Sequence, residues 1–249
     1  MENTIEIREC TTLDELAECV NLQREVFALP EIELSPVRHF VVTRNAGGFT
    51  LGAYDGDHLA GYVLSVPAFL RGEKAFYSHM TGVRQEYQST GVGRRLKWAQ
   101  RERALQLGVQ FIKWTFEPVK ARNGYFNLEK LGAIVTEYER NFYGTDYAVE
   151  PESGKQIGLQ SDRLFAEWHL ESEKVRALAA GEKWTETRTP KAEVATINDW
   201  SDLVAQDPAA ALALQLRVRE GFESAIARGL HAAAFKRDDV EPKYLLFSK

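Results

Sequence analysis

Between Val83 and Gly108 the chain reads VRQEYQSTGVGRRLKWAQRERALQLG. Gln88-x-x-Gly91-x-Gly93 stands there between an apolar strand, Ala75 to Val83, and a helix expected to begin near Gly91. Amides that open a helix have no carbonyl partner within it, the positive end of the dipole adds to them, and glycines let a ligand approach the backbone. The spacing points to a bound phosphate or pyrophosphate, held by the amides from about Thr90 through Val92 to Arg95. Six Lys/Arg (Arg84, Arg94, Arg95, Lys97, Arg101, Arg103) face two Glu (Glu86, Glu102) between Arg84 and Arg103, a local +4 in a chain of net charge −5. The plainer alternative is an ordinary strand-to-helix turn followed by a solvated Arg face. No Gly-Lys-Ser/Thr follows as in a Walker loop, and the third glycine of a dinucleotide fingerprint is missing.

Elsewhere the chemistry-bearing residues are more scattered. His79 lies on the strand before the turn, and an imidazole near its ordinary pKa of ~6.5 can accept a proton directly or through water. Glu117 closes the next apolar strand, VQFIKWTFEP, at an end where ligands gather in parallel sheets. Arg163, after Ser161 and Asp162 and just before another strand, could fork onto a carboxylate. Each has a bland counterpart: a buried, hydrogen-bonded histidine, a strand-end surface acid, a surface turn. No His-Glu-x-x-His, cysteine cluster or Gly-x-Ser-x-Gly occurs and the five histidines are dispersed, so no metal is expected.

These residues need a scaffold, and the sequence outlines one. Ile5 to Arg8 alternates as a strand. Thr12-x-x-Glu15 fits a capping box opening a helix that ends before Pro30. Phe49–Tyr54 and Leu59–Val66 form a hairpin about Asp55-Gly56, and Ala75–Val83 completes a three-stranded meander. The Gly91 helix should bury Val92, Leu96, Ala99 and Leu107, with Arg103 intruding. Val109–Phe116 reads as a central strand, Asn123–Leu131 as a short helix closed by Gly132, and Ala133–Tyr138 as the next strand. After Leu170 come a helix (Glu171–Ala180), a polar connector, a strand (Glu193–Ile197), a long helix from Asp207-Pro208 to about Arg228 with Leu212, Leu216 and Phe222 among its apolar positions, and a hairpin about Arg237-Asp238-Asp239. That hairpin, if exposed, could pair two subunits into a homodimer.

The 249 residues are 44% hydrophobic and 27% charged, enough for a packed core. Mild acidity argues against nucleic acid or anionic membrane as the general partner. No apolar run approaches the ~20 residues of a membrane span, and MENTIEI carries no export signal. Cys10 and Cys19 read as buried thiols of a reducing compartment, so a cytoplasmic protein is expected.

The series of meander, glycine turn, helix and strand, then ARNGYFNLEKLGA, resembles the GNAT superfamily of acyl-CoA-dependent N-acyltransferases over about Ile5 to Leu170. That family carries Gln/Arg-x-x-Gly-x-Gly/Ala, here Gln88, Gly91 and Gly93, and a later Asn and Leu-Gly, here Asn123 and Leu131-Gly132. The resemblance implies an α/β (α+β) fold with a mixed, mostly antiparallel sheet flanked by helices. It implies residues 1–170 as the acyltransferase domain and 171–249 as an extension. It also implies acetyl-CoA or another acyl-CoA as co-substrate, its pyrophosphate at Gln88, Thr90, Gly91, Val92, Gly93, Arg94 and Arg95, its pantetheine arm along Thr81 to Val83, and Asn123 nearby. Direct attack by a small-molecule amine on the thioester would then follow, with His79 or Glu117 as base, or with Glu117 instead holding the substrate ammonium. Many members place a Tyr five residues after the Asn; here that position is Leu128, so the usual leaving-group acid is missing or replaced: Tyr143 is preferred over Tyr125 and Tyr138, and the alternative is that the thiolate leaves without a protein acid. The run NFYG followed by SDR and EW resembles a branch whose relatives are taken to acylate amino acids, including from succinyl-CoA. Two rivals stay open: a CoA-binding module without catalysis, suggested by Leu128, and a phosphate or nucleotide binder sharing only the glycine turn.

Overall fold

The computed structural model describes residues 5–27, 29, 31–144 and 159–248. Pro30, before which the first helix is expected to end, lies outside them. The chain divides into two compact units, residues 1–113 with 169–171, and residues 114–168 with 172–249.

In the first unit β1 (Glu6–Glu9), β2 (Phe49–Asp55), β3 (His58–Leu70) and β4 (Glu73–Val83) pair antiparallel in chain order, and β5 (Phe111–Phe116) starts parallel to β4. Two residues, Gly56 and Asp57, turn β2 into β3, with Gly56 at φ +58°. That left-handed backbone is why Asp-Gly signals such a hairpin. The expected capping box forms: Thr12 Oγ1 accepts from the Glu15 amide at 3.2 Å, and Glu15 Oε2 accepts from the Thr11 and Thr12 amides at 2.8 and 2.9 Å. Burial works against the Glu15 carboxylate, but these amides and the Arg8 guanidinium outweigh it and bring its pKa to about 2. It opens α1 (Leu13–Phe27), whose Leu16, Cys19, Val20 and Leu22 pack with Phe40 of α2 (Val37–Asn45) and Tyr62 and Leu64 of β3. Both cysteines are buried and free, their sulfurs 4.0 Å apart.

α3 (Val92–Gln106) departs from its expected stripe. Val92 and Leu96 are buried, but Leu107 is 44% exposed, and Lys97, Gln100, Arg101 and Ala104 fill the remaining inward positions. Lys97 Nζ donates to Ser78 Oγ at 3.1 Å and Gln100 Oε1 at 2.6 Å, and Gln100 Nε2 reaches Ser65 Oγ at 2.7 Å. Polar side chains are tolerated under this helix because they satisfy one another. Arg103 finds Glu9 at 3.3 Å.

In the second unit β6 (Ile134–Glu139), β7 (Arg163–His169), β8 (Ala192–Ala195), β9 (His231–Lys236) and β10 (Lys243–Phe247) lie in the order β7-β6-β9-β10-β8. Among the described residues four helices accompany them: α4 (Ala121–Tyr125), which runs on into a π-helical turn (Phe126–Lys130), α5 (Glu173–Ala179), α6 (Trp200–Gln206) and α7 (Pro208–Ala227). The segment read as one short helix from Asn123 is thus α-helix and π-turn, closed by Gly132 at φ +76°. α7 begins as expected, with Asp207 Oδ1 accepting from the Ala210 amide at 2.9 Å and Pro208 in its first turn. Of its apolar positions Phe222 is buried, with Ala211, Leu214, Gln215, Val218 and Ala225, whereas Leu212 and Leu216 are 44% and 46% exposed. The C-terminal hairpin is not exposed for subunit pairing, because β10 is bonded to β9 on one side and β8 on the other, and β9 also pairs with β6.

Candidate active site

The glycine turn has the geometry that its residue types suggest. After β4 a 3-10 turn (Gln85–Tyr87) leads to Ser89 at φ +64° and Gly91 at φ +96°. Two left-handed residues so close together curl the backbone and turn its amides to one side, a concavity suited to an anion. A Cβ built on Gly91 meets no atom within 4 Å, and one on Gly93 meets only Val83 Cγ2, at 3.6 Å. Space is therefore open above the turn, and the residues present fit a pyrophosphate. Val92 is buried, so only its amide is on offer. The Thr90 hydroxyl donates to the Tyr87 carbonyl at 2.6 Å, and Gln88 Nε2 donates to the Val83 carbonyl at 3.0 Å. These side chains brace the turn and leave ligand contact to the backbone.

The local +4 does not survive as a patch. Arg84 is held by Glu25 at 2.6 Å and by Glu18, and donates to the Leu59 carbonyl at 2.8 Å. Lys97 is wholly buried, its pKa driven well down by desolvation. Arg101 is buried against the Leu170 carbonyl, and Arg103 meets Glu9. Arg95 donates to the Ile5 carbonyl at 2.5 Å. Arg94 is the exposed arginine of the turn with no partner among the described residues.

Beside the turn, β4 offers an edge. It pairs with β5 only at Phe76↔Ile112 and Tyr77↔Lys113, while Thr81 and Val83 are matched to Val63 and Gly61 of β3. Among the described residues, no pairing with β5 is found on the side of β4 away from β3 from Ser78 onward. An extended arm could add there as a strand does.

His79 sits at an irregularity in this strand. The β3–β4 register passes from Leu64↔Met80 to Ser65↔Ser78, leaving His79 as the extra residue of a bulge. Its Nε2 lies 3.0 Å from Ser35 Oγ, and its ring meets that of His39 edge-on at 5.6 Å. Ser35 is itself clamped, since Gln23 Nε2 donates to its carbonyl at 3.2 Å and Gln23 Oε1 accepts from its amide at 2.9 Å. Burial lowers the His79 pKa, and neighbouring His39 lowers it further. A neutral imidazole is thus favoured at neutral pH, which is the basic form. No sequence signal marked Ser35, Gln23 or His39, because their meeting depends on how α1 and the segment before α2 pack.

In the second unit Glu117 pairs with Lys120 at 2.5 Å and lines a small pocket with Arg163, Ser161, Asp162, Trp200 and Gln215. Tyr143 is half exposed; its hydroxyl is 3.1 Å from Thr115 Oγ1, its ring packs edge-on against Phe142 at 4.6 Å, and the Arg163 guanidinium lies 5.2 Å over it. Glu117, Tyr143 and Arg163, distant in sequence, therefore belong to one neighbourhood of this unit. Of the other tyrosines, Tyr138 spends its hydroxyl on buried Asp162, its pKa raised by burial and by that bond. Tyr125 stays near the surface, its pKa lowered by Lys130. Asp162 is no surface residue: its carboxylate is fully buried and gripped by Arg219. Asn123 is half-buried on α4, whereas Asn127, buried one turn on, accepts from Trp114 Nε1 at 3.2 Å. Leu128 is wholly buried.

Residues 13–133 match the model of the acetyltransferase (GNAT) family. This stretch is a GNAT domain. Solved structures agree on the fold. One is a protein from Desulfovibrio desulfuricans described as a GNAT-family acetyltransferase, 14% identical, with 67% of this chain and 99% of that one covered at a TM-score of 0.55. Another is the ribosomal-protein-S18-alanine N-acetyltransferase of Escherichia coli, 13% identical, covering 75% of this chain and 99% of that one at 0.51. A chain of the NatC complex bound to Gag peptide and CoA is 15% identical, covering 67% and 98% at 0.52. No curated protein matches. The GNAT fold expected from the glycine turn and the meander is therefore present. Among the described residues no cluster of three or more His, Cys, Asp or Glu is placed to hold a metal, and no helix is long and apolar enough to cross a membrane.

Proposed function

We propose that this GNAT protein is an acyl-CoA-dependent N-acyltransferase that moves an acetyl or succinyl group from CoA to the amine of a small molecule, amino acids among them. The observation that carries this reading is the curled turn at Ser89 and Gly91, with open space above it, beside the β4 edge where no pairing with β5 is found among the described residues. Amides from Thr90 to Arg95 hold the pyrophosphate, and the edge from Thr81 to Val83 takes the pantetheine arm. His79, kept neutral by burial and steadied by Ser35, accepts a proton from the acceptor's ammonium. The freed amine attacks the thioester carbon; a C–N bond forms, the C–S bond breaks, and the thiolate takes a proton from the Tyr143 hydroxyl or from water. Glu117 is the alternative base, and Arg163 reads the acceptor's carboxylate. Residues 1–170 act in this reading as the catalytic module and 171–249 as its extension, in a cytoplasmic protein.

Thermal unfolding with acetyl-CoA, succinyl-CoA, CoA or ATP tests it. A ligand at one hundred times its Kd adds ~2.7 kcal/mol, or roughly 5–11 °C in Tm for a chain of this size. Shifts with the CoA species and none with ATP are expected; equal shifts with ATP, or none at all, refute the site. Leu128, fully buried where many relatives carry a tyrosine, favours a second reading: a CoA-binding module without turnover. Acetyl-CoA that stays intact with every amine offered would establish it.

A further inference from the structure

Directly opposed residues of two strands share a face of the sheet, and at the bulge that sets His79 apart the opposed pair is Ser65 of β3 and Ser78 of β4. The two serines are 0% and 5% exposed, and α3 covers them. Gln100 Nε2 donates to Ser65 Oγ at 2.7 Å and to Ser78 Oγ at 3.1 Å, so a single amide spans both strands. Lys97 Nζ donates to Gln100 Oε1 at 2.6 Å and to Ser78 Oγ at 3.1 Å, which fixes the end of the amide that meets the serines. Beyond the bulge the next pair, Leu64↔Met80, faces the opposite way, into the cluster of α1 and α2. His79 faces that way too, toward Ser35 and His39. Consecutive residues of a regular strand point to opposite faces, so only the bulge lets His79 and Met80 share one.

Ladder pairing alone does not hold the bulge at this position. Moved one pair toward the hairpin tip, it would set Ser65 against His79 and make Ser78 the extra residue, with as many opposed pairs as before. His79 would then share the face of Ser65, beneath α3, and its contact with Ser35 would be gone. The Ser65–Gln100–Ser78 bridge forms in the observed register, where both hydroxyls lie side by side under α3. In the shifted one an imidazole would stand where Gln100 and Lys97 now pack. We propose that Gln100, held by Lys97, is a positioning residue: by bridging Ser65 and Ser78 it fixes the β4 bulge at His79 and turns the imidazole to Ser35. The placement of His79 needs no reaction; its effect on turnover rests on the acyltransferase reading with His79 as base.

Three variants of the full chain test this. Ser65→Ala cuts the bridge at β3 and leaves Ser78, Lys97 and Gln100 bonded to one another. Ser65→Ala/Ser78→Ala/Lys97→Met/Gln100→Leu makes the whole network apolar, which strands no partner and can be nearly neutral for stability. Gln100→Glu is the conservative control, because the serine hydroxyls can donate to a carboxylate that Lys97 still meets. The imidazole C–H resonances of the five histidines, with His79 identified by its loss in His79→Gln, report the outcome through the nuclear Overhauser contact between His79 and His39. That contact should be present in the parent and in Gln100→Glu. Ser65→Ala should show a second His79 resonance without it, and the fourfold variant should lose most of it. Turnover should fall at least about tenfold in the fourfold variant, as for a misplaced catalytic group, with the KM for acyl-CoA unchanged and with recovery in Gln100→Glu. A full-strength contact in Ser65→Ala and in the fourfold variant overturns the proposal, and Ser65→Ala alone decides if the fourfold variant does not fold. A fall in Gln100→Glu as large as in the fourfold variant also overturns it, leaving the network a matter of packing. A lost contact with unchanged turnover would instead keep Gln100 as the positioning residue and remove His79 as the base.

Discussion

Arg219→Met should be among the most damaging single changes in the second unit. The Arg219 Nε and Nη2 donate to the two Asp162 oxygens at 2.9 Å each, and Nη2 also reaches Gln160 Oε1 at 2.6 Å. The Asp162 side chain is 0% exposed and that of Arg219 12%, so water cannot replace the lost partner. Methionine keeps most of the aliphatic stem, which confines the loss to the charge. Removing one member of a buried pair costs roughly 3–5 kcal/mol, because a desolvated carboxylate remains. At roughly 2–4 °C per kcal/mol, Tm should fall by roughly 6–20 °C. The Tyr138 hydroxyl and Asn141 amide still donate to Asp162, which places the expectation toward the lower end. Urea unfolding followed by far-UV circular dichroism measures it. Arg219→Met/Asp162→Asn, which removes the stranded charge and keeps an acceptor for Tyr138, should regain more than half the loss. A loss below about 1 kcal/mol, or a double variant no better than the single one, would refute the view that this ion pair ties α7 to the turn before β7.

Gly93→Asp separates fold from ligand: its Cβ has room and a first-turn acid suits the helix dipole by about 0.3–1 kcal/mol, so Tm without ligand should hold while the CoA-induced shift disappears. Persistence of that shift would remove the pyrophosphate from this turn. Gly91 is the poorer probe, because φ +96° adds backbone strain to any substitution. His79→Gln should lower kcat about 100-fold if His79 is the base, and Ser35→Ala should move the acid limb of the kcat/KM profile while leaving the KM for acyl-CoA unchanged; profiles that coincide with the parent's dismiss the pair. The same His79 predicts a stability trend. Its folded pKa lies below the ordinary ~6.5, so its contribution is present above that pH and is lost as pH falls through the folded value. His79→Gln should flatten that loss in pH-dependent unfolding.

Much of this molecule can be read from the chain because local rules decide it. The Thr12–Glu15 box, the Asp55-Gly56 hairpin and the Asp207-Pro208 helix start each depend on a few adjacent residues, and each stands where expected. Periodicity served less well on α3 and α7. Lys97 and Gln100 turn inward because Ser65 and Ser78 receive them, and a hydrophobic pattern cannot register a partner on another strand. Charge counting failed for the same reason: the acids that neutralise Arg84 and Arg103 come from α1 and β1. The turn of the candidate site was legible, since glycine spacing encodes its backbone. The setting of His79 was not, because Ser35 lies 44 residues away and its neighbours are fixed by packing alone.

The order β7-β6-β9-β10-β8 has a kinetic consequence. β6 meets β9 at Val135↔Ala232, a separation of 97 residues (232 − 135), whereas β2, β3 and β4 join through adjacent hairpins. Pairing across so long a stretch must pay its loop-closure entropy before any ladder rewards it, and such contacts form slowly. Folding should therefore be biphasic, with the meander early and the second unit late. Until β9 and β10 arrive, the inward edge of β6 stands open to other chains, and crowding at that stage favours association over completion.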